Sequence, residues 1–321
     1  MSSTAVVGTV RAMACAIDIH VPDDLQLPDE RVPNGSVADV ESALRVFGTV
    51  HRACTRFDPE SALMQVNARP DRWHDVPAVL FDVLREAYLA HLRTSGRFDP
   101  RVIGDLERLG YVGSLPFEDG PVATDGTAGS RPARTRWRPR LRRGARCRVH
   151  LGGTPVDLGG IGKGMALRWA AERMAASAGS FLIDAGGDCV CRGNAPGLDG
   201  WNVGVEHPDG RPGPIAVLTL SDRSVATSST RLRRWTAGGV AVHHLIDPRT
   251  GLPGGRGLAA VTVVAVDPAE AEVTSKALFL LGADAIGAVA HRDSVAALWV
   301  DDGGTVATSP AMDPFVTWRE A

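Results

Sequence analysis

Aromatic residues make up only 5% of this 321-residue chain, and no apolar run approaches the ~18 residues that a membrane span needs. The opening residues, MSSTAVVGTVRAMACAIDIHV, lack a basic segment followed by a sustained apolar one. No secretory leader of the usual kind is legible there, and the plain expectation is a soluble, cytoplasmic protein. Cysteine is also scarce: Cys15, Cys54, Cys147, Cys189 and Cys191 make an odd five, with no zinc-like spacing. That excludes a disulfide framework in a chain this long and leaves buried or idle thiols. An excess of one charge is lacking too. A net charge of -2 and a pI near 6.5 argue against a globally basic nucleic-acid binder.

What is present is an ordinary apolar share, 44%, and enough length for a real core. No sequence repeat and no clear domain boundary appears, so residues 1–321 are read as a single domain. Residues 5–21 alternate like a strand. Ser36 is read as an N-cap, with Val40, Leu44, Phe47, Val50 and Cys54 following at helical spacing. A second helix is expected over Pro77–Thr94, stopped by Gly96, and a third from Gly160 to about Ala178. Strands are expected at Phe181–Ile183, Trp201–Glu206, Ile215–Leu220, Val240–Ile246 and Ala260–Val266. A helix over Ala269–Leu281, a short helix and a strand around Val295–Val300 complete the chain. Helices and strands mix without a regular βαβ repeat, which gives an α+β fold.

Residues 113–134 are rich in Gly, Pro, Asp and Thr and read as a mobile loop. The nine arginines between Arg131 and Arg148 follow. Together they make a flexible Gly/Pro/Arg-rich insertion near 113–150. A nucleic-acid patch is one reading of the arginines. The preferred one is a solvated hairpin edge, where like charges discourage strand pairing.

Three segments concentrate chemistry. His243–Pro253 (HHLIDPRTGLP) sets two imidazoles, a carboxylate and a guanidinium before a Pro/Gly turn. Alternation puts His244 and Ile246 on one face. A histidine there could take a proton from an attacking hydroxyl, or simply bond to turn carboxylates. Val156–Gly164 (VDLGGIGKG) is neither a P-loop nor a Rossmann fingerprint. Its glycines and free N–H groups at a helix start suit an anion, with Lys163 as a point charge. Equally, it could be a tight turn with an exposed lysine, and Asp157 could bind a ligand or cap its own turn. Phe181–Cys189 (FLIDAGGDC) offers Asp184 and Asp188 to the same cleft, or to the turn.

In order, VDLGGIGKGMA, IDAGGDC, SVATSS, HHLIDPRTGLP and VTVVAVDPAEAEVTSKALFLLG resemble the FAD:protein FMN transferase family, also called the ApbE family. RAMAC (11–15), RFDPESALMQVN (56–67) and SGRFDP (95–100) agree more loosely. The resemblance implies that FAD is cut at its pyrophosphate, FMN passes to a threonine or serine hydroxyl of a target protein, and AMP leaves. It implies magnesium bridging the phosphates. It implies that Met13, Phe57, Phe98 and Asp99 fall on flavin-side or pocket positions, and that Asp157 and Lys163 contact FAD. Ile246 then sits near the adenine end, His244 activates the acceptor hydroxyl, and Asp247 orients it or shapes the turn.

The same resemblance implies a metal held by Gly160 and by an Asp and a Thr four apart on the late helix. Here Glu272 replaces the Asp and Lys276 the Thr. An ammonium has no lone pair to give a cation. Three readings follow. Lys276 contacts the pyrophosphate in place of the metal. Lys276 pairs with Glu272 at i,i+4, leaving a non-catalytic FAD-binding protein. Or metal binds through Gly160, Glu272, Ser275 and phosphate oxygens. An FAD pyrophosphatase without a protein acceptor is a further alternative. The glycine expected after Thr227-Ser228 is Ser229, and an expected acidic position in the glycine-rich helix is Arg168.

Overall fold

The structure is a computed structural model that describes residues 4–22, 34–113 and 135–320, with side chains of the second segment from residue 37. The Ser36 side chain, whose capping was expected, and residues 114–134 lie outside what is described. The first helix begins at Asn34 and runs to Cys54.

An eight-stranded sheet organises the chain. Its strand order is Thr4–Ala12, Cys15–Pro22, Phe181–Ala185, Asp188–Arg192, Arg223–Ser229, Leu258–Ala265, Ala296–Asp301 and Val306–Thr308. Every neighbouring pair is antiparallel. The single strand expected over 5–21 is thus a hairpin, broken at Met13–Ala14. Their short side chain alternation continues through the turn, which is why the sequence pattern did not reveal it.

Period-two alternation divides the core. Ile183 and Val190 face a cluster with the helices Asn34–Cys54, Ala78–Arg93 and Gly162–Met174. Leu182, Cys189 and Cys191 face the opposite way, onto a three-stranded sheet that includes Trp201–Glu206 and Pro214–Leu220. Cys189 and Cys191 do share one face. Burial pushes the Cys191 thiol up to about 12 and Cys189 well above its ordinary value, so both are idle thiols. Val261 and Val263 pack under the late helix Pro268–Phe279.

The arginine run forms a real hairpin, Arg140–Arg143 against Cys147–His150, extended by His74–Val76. Trp73 lies beneath it, with the guanidiniums of Arg140, Arg142 and Arg148 at 5.4, 4.8 and 5.4 Å from its ring centre. Asp75 and Asp82 pair with Arg146, Arg148 and Arg143. The charges are therefore dispersed over an edge sheet, in which Arg140–Arg143 and Cys147–His150 are paired strands.

Two close approaches hold the layers. Arg168 makes a bidentate bond to Asp267 at 2.6 Å and reaches Glu86 at 3.2 Å. That explains an arginine where the family resemblance implied an acid: it ties three helical segments together. Gly164 is the second. A Cβ there would sit 2.5 Å from Ala269 Cα and 2.6 Å from the Pro268 carbonyl oxygen, so only glycine lets the two helices meet.

His91 bridges two loops in the core. Its Nε2 accepts from Trp137 N at 3.2 Å, so Nδ1 carries the proton and donates to the Phe98 carbonyl at 3.1 Å. Burial, outweighing the nearby Asp99, lowers its pKa.

Two outcomes follow from these contacts. Gly164→Ala gains up to ~1 kcal/mol of helix propensity but forces a backbone clash costing roughly 1–3 kcal/mol; chemical denaturation should show net destabilisation. His91 folds neutral, so the unfolded chain binds the extra proton. Its contribution is complete above the ordinary histidine value of about 6.5 and is lost as pH falls toward the lowered folded one. The unfolding midpoint should drop between pH 7 and 5, and His91→Gln should flatten that slope.

Candidate active site

The site lies at one end of the central sheet. Two tight hairpin turns meet there, Met13–Ala14 and Gly186–Gly187, next to the start of the helix Gly162–Met174 and one face of the helix Pro268–Phe279. Two-residue hairpin turns of the favoured type need left-handed backbone at both positions. Gly186 and Gly187 adopt it freely at φ 66° and 90°, but Met13 and Ala14 hold it with side chains, at φ 54° and 63°. Such strain is typical of a binding site. The Met13 methyl lies 3.2 Å from where a Gly162 Cβ would be.

Two chambers open from this end and share a junction. Met13, Gly159, Lys163, Arg233, His244 and Lys276 line both. The first chamber also takes in Phe57, Phe98, Asp99, Asp157, Gly160 and Ile246. Its wall is aromatic: the Arg56 guanidinium lies 4.2 Å from the Phe57 ring centre and 4.5 Å from that of Tyr111, and the Trp235 ring packs at a tilt against Tyr111 at 5.3 Å. The second chamber adds Asp188, the Thr227–Ser229 segment, His207 and Glu272. Most of the residues named from the sequence thus converge. Ile246 lines the same chamber as Phe57 and Phe98.

The glycine segment is a tight turn first. Its amides are spent inside the protein: Gly159 N donates to Asp157 Oδ1 at 2.7 Å, Gly162 N to the Leu158 carbonyl at 2.9 Å, and Gly164 N to Glu272 Oε2 at 2.7 Å. Asp157 therefore caps its own turn while its other oxygen faces Arg56 at 3.4 Å. Asp184 likewise caps Gly187. Asp188 does more: it forms an ion pair with Lys163 and accepts from Thr227 N at 3.0 Å. Burial pushes the Lys163 ammonium down, but Asp188 and Glu272 outweigh it and hold it above its ordinary value.

His244 is neutral. Burial, with the positive charges of Arg233 and Lys276 nearby, holds its pKa well below the usual histidine range. Its Nδ1 is buried with no hydrogen-bond partner among the described residues. Asp247 does not orient it. Both Asp247 oxygens are taken by Arg249, at 2.7 to 3.2 Å, and its carbonyl accepts from Thr250 and Gly251. Asp247 shapes the turn, the other role considered for it. Asp99 is similarly committed, gripped by Arg101 at 2.6 and 3.0 Å.

The residues proposed as metal donors do not fit a cation. Glu272 is fixed on Gly164 N. Ser275 Oγ donates to the Glu272 carbonyl at 3.1 Å and bonds Ser228 Oγ at 2.9 Å. At Gly160 the neighbour is Lys276, whose Nζ lies 3.1 Å from the glycine's Cβ position. Among the described residues no group of three or more His, Cys, Asp or Glu could hold a metal ion. Burial raises the Glu272 carboxyl and lowers the Lys276 ammonium. No ion pair links the two side chains within 4 Å, so the i,i+4 pairing is not formed.

Sequence reading missed Arg56, Tyr111 and Arg233. Arg56 stood inside a quoted segment beside Phe57, and that adjacency was the available signal. Tyr111 and Arg233 reach the cleft only through the packing of distant loops.

An aromatic-walled chamber and a second chamber thus meet at a junction lined by Lys163, Arg233 and Lys276. Residues 13–299 match the ApbE family, and the chain belongs to it. It is 30% identical to an FAD:protein FMN transferase of Klebsiella pneumoniae over 276 residues, 82% of this chain and 83% of that one. Against the FAD:protein FMN transferase of Escherichia coli K12, also 30% identical, the match spans about half of each, 51% and 45%. The ApbE protein of Thermotoga maritima superposes with a TM-score of 0.78 at 25% identity, covering 98% of this chain and 99% of that one. The flavin transferase ApbE of Vibrio cholerae shares the fold, with a TM-score of 0.76 over 98% of this chain and all of that one at 21% identity. No helix among the described residues is long and apolar enough to cross a membrane.

Ala14 offers a direct test of the strain at the turn. Ala14→Gly should raise stability by about 1 kcal/mol, because glycine accepts the left-handed backbone at little steric cost. Equilibrium unfolding in urea measures it.

Proposed function

We propose that this chain is an FAD:protein FMN transferase, working as one catalytic unit. The observation that carries the reading is the pair of chambers joined at Lys163, Arg233, Lys276 and His244. FAD has that form: two ring systems linked by a pyrophosphate. One ring system packs against the Phe57–Arg56–Tyr111 wall, where stacking on a guanidinium and aromatic faces is favourable. The other enters the second chamber, past the Gly186–Gly187 turn. The pyrophosphate lies at the junction, where positioning and charge neutralisation dominate phosphoryl transfer.

In the transfer step a serine or threonine hydroxyl oxygen of the target protein bonds to the phosphorus of the FMN half. The P–O bond to the AMP half breaks, and its electron pair leaves with AMP. The hydroxyl proton passes to the neutral imidazole of His244. Neutrality at pH 7 is what a base needs, and an arriving anion would raise its proton affinity. Magnesium, which the family resemblance implies, has no step in this reading, because the donors present do not fit it. The five free cysteines suit a reducing compartment and support placing the reaction in the cytoplasm.

Incubating the protein with FAD and an acceptor peptide tests the proposal by AMP release and covalent flavin on the peptide. His244→Asn should retain FAD binding and lose roughly 10²–10⁴-fold in rate, the usual worth of a general base. FAD binding with neither product would leave a binding protein. AMP and FMN without a flavinylated peptide would leave a pyrophosphatase.

A further inference from the structure

The chain contains two lysines, Lys163 and Lys276; its other basic side chains, histidine aside, are arginines. Both lysines line the two chambers. A chain that uses arginine throughout its surface keeps the compact ammonium only at the junction. The two are not equivalent there. Lys163 is neutralised by Asp188. Lys276 has no hydrogen bond or ion pair to another side chain among the described residues. Glu272, one turn earlier, has turned to Gly164 N at 2.7 Å, and Ser275 is closed by Ser228. The Lys276 side chain is held over Gly160, with Cε and Nζ 3.0 and 3.1 Å from the glycine's Cβ position and Phe98 at 3.2 Å on the same spot. A side chain at Gly160 would displace it.

From this placement we infer that Lys276 is the direct phosphate ligand of the cleft, and that the chain binds a dinucleotide pyrophosphate without any divalent cation. An ammonium offers three donors and one point charge. Lys276 and Arg233, which also faces both chambers, bring two positive charges to a linkage carrying about two negative ones at neutral pH. A cation beside Lys276 Nζ would meet an ammonium within repulsive range, with Glu272 already accepting from Gly164 N and Asp188 already paired with Lys163. The inference deepens the FAD reading and rests on FAD entering this cleft, but it concerns binding and does not need transfer to occur.

Three measurements on the full chain test it. First, FAD affinity, followed by flavin fluorescence, should be the same in EDTA and in millimolar MgCl₂. Second, Lys276→Ala and the shape-conserving Lys276→Met should each weaken FAD by roughly 10–100-fold, the worth of a charge-assisted hydrogen bond, with melting curves verifying the fold. Third, with so few amines in the chain, FAD should protect Lys276 from acetylation, read by peptide mass spectrometry. EDTA-sensitive FAD binding by the unmodified protein, unchanged affinity in both variants, or acetylation of Lys276 undiminished by FAD would each overturn the inference. Metal-independent FAD binding with no AMP or flavinylated peptide would sustain it while removing the transferase reading. Transfer together with FAD binding that is lost in EDTA would overturn the inference and leave the transferase reading standing.

Discussion

The ion pair between Lys163 and Asp188 is the contact on which the site depends. It joins the first turn of the glycine-rich helix to the strand Asp188–Arg192. Asp188 then reaches the next strand through Thr227 N. Removing one partner of a buried pair commonly costs about 3–5 kcal/mol, because the other charge is left uncompensated. The pair also uses up the charge of the lysine that glycine-rich motifs usually offer to an anion. On the inference drawn above, that commitment passes the anion-binding task to Lys276 and Arg233, which line both chambers.

The same economy explains the rest of the junction. Glu272 satisfies an amide at the start of the helix Gly162–Met174, where a carboxylate also complements the helix dipole. Glu272 Oε2 is thus committed to Gly164 N and Ser275 Oγ to Ser228. Lys276 is free of both and points to where the two chambers join. The neutral His244 stands beside two positive charges, with its Nδ1 unpartnered among the described residues. Each of these states is set by its neighbours rather than by the residue itself.

Long periodic elements were legible because their burial is one-sided. The helix over Pro77–Thr94, found as Ala78–Arg93, and the strand Trp201–Glu206 fall where their apolar spacing put them. The Met13–Ala14 turn was not legible, since it carries neither glycine nor asparagine and sits in an alternating run. Val240–Ile246 was read as one strand but is divided, Val240–His243 and Ile246–Asp247, because His244 leaves the ladder to face the cleft. Motif order named His244, Lys163, Asp157 and Gly160, and all four line the first chamber. For Asp247 it left two roles open, and the bonds from Arg249 place its carboxylate in the turn.

By itself the sequence determined the α+β class, the family, and the residue types that could serve an FAD cleft. These follow from periodicity and from motifs in fixed order, which are properties of the chain read along its length. Only the tertiary structure decided which charges are spent and which remain. Glu272 and Lys276 are one helical turn apart, and sequence alone allowed them to pair. Packing of Gly164 against Ala269 instead brings an unsatisfied amide to Glu272, and the open space over Gly160 takes Lys276. Distances between segments a hundred residues apart fix that choice, and no local pattern contains them.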